Sequence, residues 1–157
     1  MIFVTVGGMH GFERLVREMD RIAGAIDEPV VMQIGSTDYE PANCDYHRFM
    51  PVDEIEKLYA AARVVVCHPG IGTILTALEH RKLLVLVPRM KKYGEHIDDH
   101  QLDIARQMGA HGLTPVYDIA DLESAIRNAG TSMPALSTGG DLAARLKEYL
   151  DRLEDRS

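Results

Sequence analysis

The stretch "HPGIGT" (68–73) carries residues able to hold a phosphate. It leaves the apolar run "VVVC" with a histidine, places Gly70 and Gly72 in the turn, and adds a hydroxyl at Thr73 as the helical pattern "ILTALEH" begins. The first turn of a helix has unpaired amide N–H groups that attract anions. Glycine lets such a backbone come close to one. The stretch "GGMHGF" (7–12), after the first strand-like run, repeats the arrangement with Gly7 and Gly8. For that turn a tight bend needing glycine torsions is an equal explanation, and for His68 the ordinary alternative is a strand-end imidazole satisfied locally. Neither stretch is a generic nucleotide motif. Leu75 stands where the third glycine of GxGxxG belongs, and no lysine follows as in a P-loop.

The densest polar stretch is "PRMKKYGEHIDDHQ" (88–101). Arg89, Lys91 and Lys92 supply positive charge, and Glu95, His96, His100 and Gln101 cluster around the start of a helical pattern. A solvated helix entrance is the ordinary alternative. His96 and His100 are four apart, a spacing that can turn two imidazoles toward a metal, but no third ligand follows at diagnostic spacing and HExxH is absent. A hydrogen-bonding site for a polar ligand, with no metal and no cofactor, is the expectation.

These stretches need a scaffold, and the rest of the chain reads as alternating elements. Apolar, β-branched runs recur at 2–6, 30–34, 62–68 and 83–88, with a weaker one at 112–116 and a short candidate at 43–49. Helical patterns lie at 12–26, 53–61, 72–80, 97–109 and 119–128. The first shows Phe12, Leu15, Val16, Met19, Ile22, Ala23 and Ile26 on one stripe, and Asp53 and Glu56 stand at capping-box spacing before the second. Strands apolar throughout and separated by helices imply a parallel sheet covered on both faces, an α/β Rossmann-like fold. Ligands of such sheets sit beyond the carboxyl ends of the strands, where all the polar stretches above fall. The loop "GSTDYEPANC" (35–44) is expected to form one wall there. Residues 1–157 read as a single domain, with a turn-rich break at 128–140 before an amphipathic helix at 141–153.

Composition narrows the partners. Asp and Glu outnumber Lys and Arg by 24 to 17, a formal charge of −7, which disfavours nucleic acid. Cys44 and Cys67 are isolated, as suits a reducing cytosol. No stretch approaches ~20 apolar residues, so the expectation is a cytoplasmic protein with no membrane span and at most a peripheral contact.

Three ordered motifs, "FVTVGG" with the following Phe12 and Leu15, "VVVCHPGIGTIL" and "LVLVPRMKKYGEHIDDHQLDIA", resemble the C-terminal, donor-binding domain of glycosyltransferase family 28. The resemblance covers roughly residues 1–115. It is closest to short stand-alone members, such as the small subunit of a two-part N-acetylglucosaminyltransferase and bacterial exopolysaccharide glycosyltransferase subunits. It implies one half of a GT-B enzyme, with Gly7 and Gly8 beside the donor diphosphate and His68, Gly70, Gly72 and Thr73 as its cradle. Arg89, Glu95, His96, His100 and Gln101 would lie beside nucleotide and sugar. The family often has Thr at the position of Gly8, glycine at that of Pro69 and Glu at that of Thr76, where it suits a ribose diol.

The function so implied is transfer of a sugar from a UDP-linked donor to a lipid-linked or polysaccharide acceptor, together with a membrane-associated, acceptor-binding partner subunit. No residue stands out as general base, and His10 is the one candidate. Two other readings remain open: a non-catalytic nucleotide-sugar binding or regulatory module, and a different phosphate-ligand enzyme on the same fold.

Overall fold

The structure is a computed structural model and describes residues 1–8, 10–110 and 113–130, together with Ala144, Glu148 and Arg152. Six strands, β1 (Ile2–Thr5), β2 (Val30–Gln33), β3 (Asp45–His47), β4 (Val64–Cys67), β5 (Leu83–Leu86) and β6 (Thr114–Pro115), form one sheet. All its pairings are parallel and its order is β3-β2-β1-β4-β5-β6. The order reverses between β1 and β4, so the loops after these two strands diverge and leave a crevice between them.

Alternation along the strands builds a core on each face. Ile2, Val4, Val64 and Val66 pack with helix α1 (Glu13–Ala25) and helix α5 (Leu122–Asn128). Phe3, Val65 and Cys67 point the other way, to helices α2 (Val52–Ala61), α3 (Ile71–Glu79) and α4 (His100–Ala110). The expected stripe of α1 is the buried one, with Ala23 and Ile26 at its margin. Asp20 is buried there too. It accepts from the Tyr39 hydroxyl (2.6 Å) and the Asn43 amide (2.8 Å), tying the β2–β3 loop to α1.

Element starts differ from the sequence pattern where local hydrogen bonds intervene. Helix α2 opens at Val52 on Pro51, whose φ of −58° already suits a helix and whose carbonyl accepts from Glu54 and Ile55, so Asp53 sits inside the first turn and makes no cap. Helix α4 begins at His100 rather than 97. Asp98 Oδ1 accepts the His100 amide (3.0 Å) and Asp99 Oδ1 the Lys91 amide (2.9 Å), holding the preceding residues in a loop. The pattern at 119–128 divides into a 3-10 turn, Ile119–Asp121, and α5. The expected break at 128–140 and helix at 141–153 lie outside the described residues, apart from 128–130, Ala144, Glu148 and Arg152.

Candidate functional site

The turns after β1 and β4 meet across the crevice, and the His68 imidazole lies between them. A Cβ built on Gly7 would stand 2.7 Å from His68 Cε1, and one on Gly70 would stand 2.3 Å from Nε2. Both glycines are therefore fixed by the ring, and Gly7 also has a φ of +81°. Gly8 and Gly72 differ: no atom lies within 4 Å of their Cβ positions, so both open onto free space at the sheet's mouth. Helix α3 starts on Gly70 with no side-chain cap. The amides of Ile71, Gly72 and Thr73 have no carbonyl one turn back to bond and remain donors for a ligand. The Thr73 hydroxyl lies beside the buried Tyr59 phenol, whose ionisation burial pushes far up. The Thr76 hydroxyl donates to the Gly72 carbonyl (2.9 Å), the return bond of a helical threonine.

The turn after β1 is braced from both sides. Gln33 accepts from the Thr5 hydroxyl (2.7 Å) and donates to the Gly7 and Arg48 carbonyls. A Cβ on Gly11 would press on the Thr37 backbone at 2.8 Å, and Thr37 Oγ1 accepts the Phe12 amide (2.9 Å) while donating to Ile34. From the β5 side Arg89, 3% exposed, donates through Nη2 to the carbonyls of Val6 (2.9 Å), His10 (3.0 Å) and Gly11 (3.4 Å), with its guanidinium 4.8 Å from the Phe12 ring centre. Burial, with Arg89 as a second cause, pushes the His68 pKa down to about 4, so the ring is neutral at pH 7.

Of the other residues expected at the site, Glu95 receives both ends of the Arg14 guanidinium fork (3.0 Å each) and the Met90 amide, which fastens the β5–α4 loop to α1. Gln101 Oε1 accepts the Arg89 amide (3.0 Å), leaving its side-chain NH2 to donate elsewhere. His96 and His100 do not share a helix face, because His96 precedes α4. They flank Asp98 instead, at 3.1 and 3.4 Å, and the His100 amide leads the causes that lower the Asp98 pKa. Among the described residues no group of three or more His, Cys, Asp or Glu is arranged to hold a metal ion. His10 is exposed at the rim of a hollow of about 650 Å³, whose walls include Arg14, Ser36, Thr37 and Tyr93. Of the expected wall at 35–44, Ser36, Thr37 and Asp38 line it.

Arg14 was not expected here, and Thr37 only as a member of the 35–44 wall, not as a bonding partner of the α1 start. The Arg14–Glu95 pair joins residues 81 positions apart and leaves no local signal, whereas Thr37, in a polar loop straight after a strand, could have been suspected as a cap. Exposed Phe49, at the end of β3, is a further unexpected feature of this edge.

A parallel sheet reversing at β1/β4, with an uncapped helix N-terminus and glycines open at its mouth, defines the nucleotide-binding class of α/β folds. Solved structures sharpen the class. The chain is similar to the glycotransferase of kitacinnamycin (TM-score 0.60, 21% identity, covering 94% of this chain and 37% of that one). It is also similar to MurG of Acinetobacter baumannii (0.58, 18%, 83% and 42%) and to the solution structure of ALG13 (0.58, 16%, 85% and 89%). The fold is the Rossmann-like half of a GT-B glycosyltransferase. Residues 1–140 match the glycosyltransferase family 28 C-terminal domain, and the chain belongs to that family. No curated protein matches it. The chain spans about two fifths of the length of the first two glycosyltransferases above. Among the described residues no helix is long and apolar enough to cross a membrane.

Proposed function

We propose that this chain is the donor-binding subunit of a glycosyltransferase that moves a sugar from a UDP-linked donor to a lipid-linked or polysaccharide acceptor. The observation that carries the reading is the open start of α3: three unpaired amides beside Gly72, whose missing side chain leaves room for a diphosphate. Gly7, Gly8, His68, Gly70, Gly72 and Thr73 form the cradle, and Gln101 reaches a sugar hydroxyl. The departing diphosphate gathers negative charge, which helix amides and the cations of the β5–α4 loop stabilise without a metal. His10, exposed at the rim, is the candidate base for the acceptor hydroxyl.

Transfer requires donor and acceptor held together away from water, and one Rossmann-like half supplies a single wall of such a cleft. We therefore assign the other wall to a membrane-associated partner subunit that binds the acceptor and holds this chain at the membrane from the cytoplasmic side. The overlap with ALG13, over 85% of this chain and 89% of that one, supports this. Residues 1–157 act as one domain, with 141–153 the candidate docking helix.

Thermal unfolding against a panel of nucleotide sugars, with magnesium or with chelator, is the test. UDP-sugars should raise the melting temperature equally in both conditions. No shift with any nucleotide sugar would overturn the reading. Sugar transfer should need the co-expressed partner, and robust transfer by this chain alone would overturn the two-subunit assignment. A second reading, a non-catalytic nucleotide-sugar sensor, draws on Thr76, whose hydroxyl is bonded within its own helix where the family often has an acid. Donor binding without transfer in the complete complex would favour it.

A further inference from the structure

A second hollow, of about 540 Å³, opens where the chain leaves β5 and β6, and shares only Tyr93 with the hollow that His10 borders. Tyr93 stands between the two. Arg14, on the wall of the first, lies 4.7 Å from its ring centre, and Lys92, on the wall of the second, 4.9 Å. The arginines of the first hollow are already paired, Arg14 with Glu95 and Arg17 with Glu13. The polar groups of the second are held in place but still open to a ligand. Asp99 and Asp118 each give one oxygen to a backbone amide, that of Lys91 (2.9 Å) and that of Ala120 (3.0 Å), which fixes the carboxylate and leaves its other oxygen to accept. Arg106 lies 3.8 Å from Asp103, beyond hydrogen-bond reach.

We propose that this hollow is a second sugar site: it takes one uncharged pyranose unit of the acceptor glycan, stacked on the exposed rings of Tyr93 and Tyr117, with its hydroxyls between the carboxylates of Asp99 and Asp118 and the cations of Lys92 and Arg106. Charge selects the class of ligand. Two cations and two carboxylates surround one space, so a phosphate would face Asp99 and Asp118, and a cationic ligand would face Lys92 and Arg106. A sugar hydroxyl donates to one sign and accepts from the other. The C–H faces of a pyranose are apolar and suit a tyrosine ring, whose own hydroxyl stays in water. The volume lies within the range of small-molecule sites. Position gives the role. Leu102, on the wall, directly follows Gln101, the residue that the donor-binding reading places on a sugar hydroxyl. A glycan unit held here lies beside the sugar to be transferred.

The role rests on the donor-binding reading, whereas the binding is tested apart from it. Amide NMR of the nitrogen-labelled full chain, with UDP present, is the measurement, and cellobiose, lactose and di-N-acetylchitobiose are the probes. At least one disaccharide should shift the amides of Tyr93, Leu102 and Tyr117. Tyr117→Ala should weaken that sugar about tenfold, Tyr117→Phe less than about twofold because the ring is kept, and neither should change UDP affinity. If Tyr117→Ala does not fold, Asp118→Asn decides: it keeps an acceptor for the Ala120 amide and should weaken the sugar about threefold. No shift at these amides with any of the three sugars, shifts confined to the donor crevice, or equal sugar affinity in folded Tyr117→Ala would overturn the proposal. Larger shifts at the same amides with inorganic pyrophosphate would make the hollow an anion site and overturn it too. Sugar shifts at the hollow in a chain that binds no UDP would support the sugar site and overturn the donor-binding reading instead.

Discussion

The two glycine turns at the sheet's mouth are alike as sequence and unlike as structure. After β1, the loop into α1 is braced by distant side chains: Thr37 takes the Phe12 amide and Arg89 donates to three carbonyls of the loop. After β4, the Gly70 amide bonds the His68 carbonyl within the turn itself, and α3, like α1, has no side-chain cap. Each turn has one glycine fixed by the His68 ring and one that faces open space. The difference teaches that a glycine turn can serve as a strut or as a cradle, and that what distinguishes them here is whether side chains from other elements bond the loop, since neither helix start has a side-chain cap.

Breaking the shared strut should have the largest effect. A methyl at position 70 would collide with the imidazole, since its Cβ site is 2.3 Å from Nε2. Gly70→Ala should lower stability by about 2–3 kcal/mol in urea unfolding and abolish UDP binding. Adding His68→Ala to it should restore most of the stability but not the binding; two variants whose costs simply add would separate the ring from the glycine. Next comes the open glycine of the cradle. Gly72→Val should weaken UDP by about a hundredfold, because the branched side chain fills the space for phosphate, with stability unchanged or raised by a few tenths, at most ~0.5 kcal/mol, since valine is the better helix former of the two. Equal UDP affinity in calorimetry would show that the ligand does not lie over α3.

The braced turn should respond in the opposite manner. Thr37→Val leaves the buried Phe12 amide without its acceptor, which should cost about 1–2 kcal/mol in unfolding while UDP affinity changes less than about threefold. A larger binding loss would make the two turns one functional unit. The smallest expected effect is a gain: Gly8→Thr, with open space for its side chain, should tighten UDP by about threefold through an added hydroxyl contact. Weaker binding would mean that the ligand passes closer to the first turn than to the second.

Much of the fold was legible because its signals are local. Four-residue apolar runs and the stripe from Phe12 to Ile26 gave strands and helix their places, and periodicity needs no tertiary information. Boundaries were less legible. At Asp53 the proline before it started the helix first, and at 97–99 two aspartates bonded to nearby amides before the helical ladder could form. The roles of Arg89 and Glu95 were legible only as charge. Their partners, Val6, His10 and Arg14, come from the other end of the chain.

By itself the sequence determined the alternation of strands and helices, hence the parallel sheet and the edge at which polar loops gather, because side-chain periodicity and apolar burial act over a few residues at a time. It also determined the family, through motifs each contiguous in the chain. The tertiary structure alone decided which glycines touch the imidazole, that Thr37 takes the Phe12 amide, and that the buried cation of Arg89 holds the loop after β1. Those outcomes depend on distances between strands β1, β4 and β5, set when the sheet assembles, and no single segment encodes them.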